Sequence, residues 1–169
     1  MQRITLLIGI LFLLTCGEKL IGQESNENKG LKDILFDTTR STIITTKDAV
    51  HFAFNDSYSS SELNEAEYPE VQNLITQAIL KYNSRFKDSN SLKTIGIDTG
   101  KYKYKMQIVP ALNKNGQKEV WINAFCNSLG VMNWKSKLVF VKDGGNCFFN
   151  FKINLTEHKI YRIFVNGYA

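Results

Sequence analysis

The sequence predicts an α+β fold, with one long helix packed on a curved antiparallel meander sheet of about five to six strands. Three observations predict it. A single stretch, "PEVQNLITQAILKYNSRF", repeats its apolar residues at helical spacing. After residue 100 the pattern changes to a period of two and keeps it to the C-terminus. Asn115-Gly116 and Gly144-Gly145, residue pairs suited to hairpin turns, punctuate that alternation.

The elements follow in chain order. Met1-Gln2-Arg3 is a short basic start, and Ile4 to Thr15 is apolar apart from Thr5, Gly9 and Thr15. A run of that length falls short of the roughly 20 residues that span a bilayer, and it matches the core of a signal peptide. Residues 1–22 therefore read as an export signal. Leu13-Leu14-Thr15-Cys16 resembles a bacterial lipobox, which would end the signal before Cys16 and attach lipid to that cysteine. Leu13 fits the pattern, while Leu14 and Thr15 are larger than the residues preferred there. Ordinary cleavage after Gly17 or Gly22 competes with it. No second apolar stretch of spanning length follows, so the mature chain is expected to be soluble or tethered.

Residues 23–44 read as a polar tether and a weakly ordered segment, with one amphipathic turn through Leu31, Ile34 and Leu35. Residues 45–169 read as a single α+β domain. With 43% hydrophobic and 12% aromatic residues, the chain of 169 residues has the material for a core. Val50, Phe52 and Phe54 alternate with His51, Ala53 and Asn55, which predicts a strand near 49–55. Pro69 suits the first turn of a helix. Val71, Leu74, Ile75, Ala78, Tyr82 and Phe86 then form one apolar stripe. Strands are expected at 102–109, 118–126, 135–142, 147–155 and 160–166.

A two-residue turn at Gly144-Gly145 pairs Lys142 with Cys147, Phe140 with Phe149 and Leu138 with Phe151, leaving one oily and one mixed face. The register around Asn115-Gly116 stays open, because the simple pairing sets Lys105 beside Cys126. In such a meander Cys126 and Cys147 lie at opposite strand ends, roughly 20 Å or more apart. A disulfide needs Cα atoms within about 7 Å. Both cysteines are thus expected to be unpaired core residues, and a bridge between them is incompatible with this topology.

The order of these elements resembles the cystatin-like and NTF2-like folds over residues 45–169. The cystatin inhibitor signature, Gln-x-Val-x-Gly, has no match. Its nearest stretch, Gln107-Ile108-Val109-Pro110-Ala111, lacks the glycine, so protease inhibition does not carry over. The run "WINAFC…VKDGGNCFFNFKINL…VNGYA" is similar to small exported bacterial proteins of unknown function, which implies no activity.

Few residues suggest chemistry. His51 and His158 have no ligand-spaced partners, and Glu62, Glu65, Glu67 and Glu70 lack the spacing of a calcium loop. No nucleophile elbow or phosphate loop occurs, and Gly144-Gly145 lies between strands. No catalytic, cofactor or metal residue is assigned. Charge is uneven, with net +8 from residue 101 onward and −4 over residues 20–100. "KYKYK" interleaves Lys101, Lys103 and Lys105 with Tyr102 and Tyr104, and Trp121, Phe125 and Trp134 follow. These eight residues read as a basic, aromatic sheet face for partner binding.

The function expected from this is an exported, non-enzymatic binding module, periplasmic, secreted or lipid-anchored to the cell envelope. Its partner would be a protein, a glycan or an anionic envelope component. Export disfavours nucleic acid, and membrane contact is expected only through a lipid on Cys16. The alternatives are an NTF2-like small-ligand pocket or hydrolase, and a structural lipoprotein or inhibitor or immunity-type protein.

Overall fold

A computed structural model describes residues 37–161 and 163–167. The export signal, Cys16 and most of the tether lie outside them. The described chain is α+β. Its elements are β1 (Ser41–Ile43), α1 (Lys47–Ala53), β2 (Ser59–Ser60), α2 (Tyr68–Asn83), α3 (Ser89–Ile95), β3 (Lys105–Leu112), β4 (Lys118–Phe125), β5 (Phe148–Asn154), β6 (Lys159–Ile160) and β7 (Phe164–Val165). The sheet order is β1-β3-β4-β5-β6, with β2 also on β3 and β7 also on β5. Three α-helices replace the single long one expected, the longest being α2 at 16 residues. The sheet is mixed and open rather than an antiparallel meander, because β1 runs parallel to β3.

The predicted helix is found in place. Pro69 sits in its first turn, where its missing N–H leaves no gap, and Val71, Leu74, Ile75 and Ala78 are buried. They meet Met106, Ile108, Val120, Ile122, Phe149 and Phe151 from the inner face of β3, β4 and β5. Lys118 clamps the N-terminal end of the helix to β4 through Glu67, at 2.7 and 2.9 Å. Gln72 departs from the pattern. It is buried, with neither amide atom hydrogen-bonded among the described residues.

The strand expected at 49–55 is the helix α1. Thr46 caps it by accepting from the Ala49 N–H at 3.3 Å, and Ala49, Val50 and Ala53 turn inward at helical spacing. Alternation over so few residues fits both periods, and the cap decides between them. α1 packs on the outer face of the sheet against Val109, Ala111 and Trp121. Both faces are therefore covered, which is why β3 and β4 are buried almost throughout.

The expected strand 135–142 is absent. Its backbone instead crosses the outer face, held by two buried side chains of the sheet. Gln107 donates to the carbonyls of Trp134 and Lys137 and accepts from the Val139 N–H. Asn123 donates to the Val139 carbonyl at 2.8 Å and to Gln107 at 2.9 Å. These bonds satisfy groups that would otherwise seek a ladder partner. With that strand removed, β4 pairs directly with β5, setting Ala124 opposite Phe149 and Ile122 opposite Phe151. The pairings across Gly144-Gly145 do not occur. Gly144 (φ +94°) and Gly145 (φ +57°) instead turn the chain into a single 3₁₀ turn ahead of β5. A Cβ on Gly144 would lie 2.6 Å from the Phe148 ring.

Direct pairing brings the ends of β4 and β5 together, and Cys126 and Cys147 form a disulfide with Cα atoms 5.1 Å apart. The expectation of two free core cysteines is overturned, and the meander with it. The Asn115-Gly116 hairpin also resolves. Lys105 faces Phe125 and Leu112 faces Lys118, one residue from the simple pairing. Gly116 takes φ +73° at the end of a three-residue loop. The last expected strand is two short pieces, β6 and β7, both on β5.

Candidate binding site

The outer face of β5 carries Phe148, Asn150, Lys152 and Asn154, every second residue of the strand. β6 and β7 are two residues each, so they pair along the strand without roofing this face. α1 and the 139–142 segment cover the neighbouring β4, and Val139 and Val141 of that segment reach β5 at Phe148. A trough remains, formed by two adjoining hollows of about 520 and 460 Å³. Asn150, Lys152 and Phe164 belong to both.

Three exposed phenylalanines stand at its rim: Phe52 of α1 at 48% exposure, Phe140 at 63% and Phe164 of β7 at 57%. Phe52 meets Phe140 edge-on at 5.2 Å and Trp121 at 5.9 Å, so one wall is a packed aromatic ledge. Asn166 fastens the segment behind Phe140 by donating to the carbonyls of Val141 and Asp143. The floor is polar. Lys152 Nζ lies 4.6 Å above the Phe54 ring, which itself stacks on Tyr58. Tyr58 donates its hydroxyl to buried Glu119 at 3.3 Å, and Asn113 donates to the same oxygen at 3.1 Å.

Burial pulls the Lys152 ammonium below its ordinary value of 10.5, with Glu119 opposing the shift. Burial first, and then the Glu119 charge, push the Tyr58 hydroxyl up. Lys152 makes no salt bridge among the described residues, and Glu119 is its charged neighbour in the same hollow. The arrangement can hold a flat or CH-rich group against the phenylalanines and an anionic group at Lys152. No group of three or more His, Cys, Asp or Glu among the described residues is placed to hold a metal.

The eight residues predicted as a binding face scatter. Tyr104 is buried on the inner face and donates to the Asn146 carbonyl at 2.7 Å. Trp121 packs under α1, and Phe125 and Trp134 meet edge-on at 5.7 Å in a separate buried cluster. Lys101 and Lys103 are exposed, Tyr102 and Lys105 half-buried. Lys105 Nζ sits 5.0 Å over the Trp134 ring. Of the eight, only Trp121 reaches the trough. His51 and His158 lie at the surface, on Asp56 at 2.7 Å and Glu70 at 2.8 Å.

Sequence reasoning missed Phe52, Phe140, Asn150, Lys152 and Phe164. The signal was the mixed face of "FFNFKIN", polar at every second position in a strand buried on its other side. No protein family, curated protein or solved structure matches the chain. No helix among the described residues is long and apolar enough to cross a membrane.

Proposed function

We infer that the protein is an exported binding module that seats a carboxylate-bearing ligand with a broad apolar face in the trough over β5. One observation carries this reading: three exposed phenylalanines surround a half-buried lysine that makes no salt bridge among the described residues and has Glu119 as its charged neighbour. Exposed aromatic side chains cost free energy unless something covers them, and a desolvated ammonium gains most from an anion. The disulfide supports export, since such bridges persist in oxidising compartments. A pocket between helix and sheet is less favoured, because apolar side chains of α2 and the inner face fill that space.

The test is thermal unfolding with aromatic acids, hexuronic acids and medium-chain fatty acids, each beside its neutral amide or alcohol. Acids are expected to raise the melting temperature of the wild type but not of Lys152→Met, and the neutral partners to have little effect. Equal shifts from acids and neutral partners would rule the reading out.

A further inference from the structure

We propose that the tip of the 127–134 connection docks on an anionic lipid bilayer, inserting Leu129 and Met132 among the headgroups. This site lies apart from the trough and does not depend on what binds there.

Met132 is 94% exposed and Leu129 58%, the most and third most exposed of the large apolar side chains. Leu129 projects from a β-turn closed by Val131 N–H donating to the Ser128 carbonyl at 2.9 Å, and Met132 directly follows that turn. Its central residues, Leu129 at φ +48° and Gly130 at φ +77°, give the type I′ pattern. Asn or Gly would occupy the first of those positions without strain, whereas leucine there is costly. The backbone therefore gains nothing from leucine, which leaves its side chain as the reason for it.

The tip is rigidly based. Asn127 accepts from the Leu129 N–H at 2.8 Å, Val131 packs against the Trp134 cluster, and the disulfide closes the connection at its root.

Lysines lie beside Trp134, at the base of the connection. Lys105 and Lys135 place Nζ 5.0 and 5.8 Å from the Trp134 ring, and exposed Lys101 and Lys103 precede Lys105 at the same end of the sheet. Carboxylates sit among them too, Glu65 lining the same hollow as Lys135. Asp98 is occupied in accepting from the backbone N–H groups of Gly100 and Lys101, and Asp37 lies near Arg40 and Lys135. Exposed apolar side chains beside lysines gathered near Trp134 supply the two signals that interfacial binding needs. Apolar side chains exposed next to clustered ammonium groups make an anionic bilayer the occupant favoured.

The full chain carrying Cys16→Ser and Ser128→Cys, labelled with an environment-sensitive fluorophore, reports on the tip alone. A matching label at Lys114→Cys, in the β3–β4 hairpin at the opposite end, is the control. With vesicles of phosphatidylglycerol and phosphatidylcholine in equal parts, emission at 128 is expected to rise and shift to the blue, while the control stays as in water. Neutralising Lys103 and Lys135 to Gln is expected to weaken vesicle binding roughly thirtyfold. Leu129→Gly with Met132→Ser, which relieves the turn and so keeps the fold, is expected to abolish the blue shift. Equal response on pure phosphatidylcholine, a response at 114 instead of 128, or no response at all would each overturn the proposal. The last would favour a protein partner for the tip.

Discussion

Gln107 and Asn123 show how single side chains redirect a chain. Both point from central strands to the outer face, where alternation alone calls for apolar residues, and both are spent holding residues 134–139 across the sheet. Gln107→Leu removes the partner of three backbone groups and is expected to destabilise by about 2–4 kcal/mol, measured by urea unfolding. Gln72 presents the opposite case. Its amide is buried without a partner, and the expected result of Gln72→Leu is a gain of about 1 kcal/mol. A loss there would show that the amide is used. The role of Gln107 was not legible in the sequence, since its backbone partners come from a segment about 30 positions away.

At the scale of elements, what could be read locally was read well. α2 carries about four turns of consistent period, and β4 and β5 lie within a residue or two of their expected limits. Short elements failed. α1 has seven residues and is set by Thr46, so Thr46→Ala is expected to cost about 1 kcal/mol in thermal unfolding and Thr46→Asp almost nothing. A strand at 49–55 would be indifferent to both changes. The 135–142 segment has the alternation of a strand because it too lies between a sheet and solvent, and periodicity reports burial rather than pairing. Removing that strand is what lets the cysteines meet. Replacing both Cys126 and Cys147 by alanine is expected to cost about 3 kcal/mol for a closed loop of this size, and peptide mapping without reductant checks the link directly. The same loop carries Phe140 on one side and Leu129 and Met132 on the other, so the bridge steadies both surfaces.

For the whole molecule, the layers on the two sheet faces leave much of the outer side of β5 open, and the trough follows from that gap. Lys152 gives it a pH signature. Its folded-state affinity for a proton is reduced by burial, so the unfolded chain binds that proton more readily. Stability from this group is therefore expected to rise with pH between its lowered value and 10.5, while affinity for a carboxylate falls as the ammonium deprotonates. Lys152→Met should flatten both profiles. The basic, aromatic character of the C-terminal half was visible in the sequence. Its placement was not, because face assignment depends on which strands pair, and the β4–β5 register came only with the fold.

The most direct measurement is amide chemical-shift mapping of the wild-type protein titrated with the acid that raises its melting temperature most. Saturable shifts are expected at Asn150, Lys152 and Phe164, extending to Phe52 and Phe140 across the trough. Shifts confined to α2 and the inner face, or to the Lys101–Lys105 stretch, would contradict it.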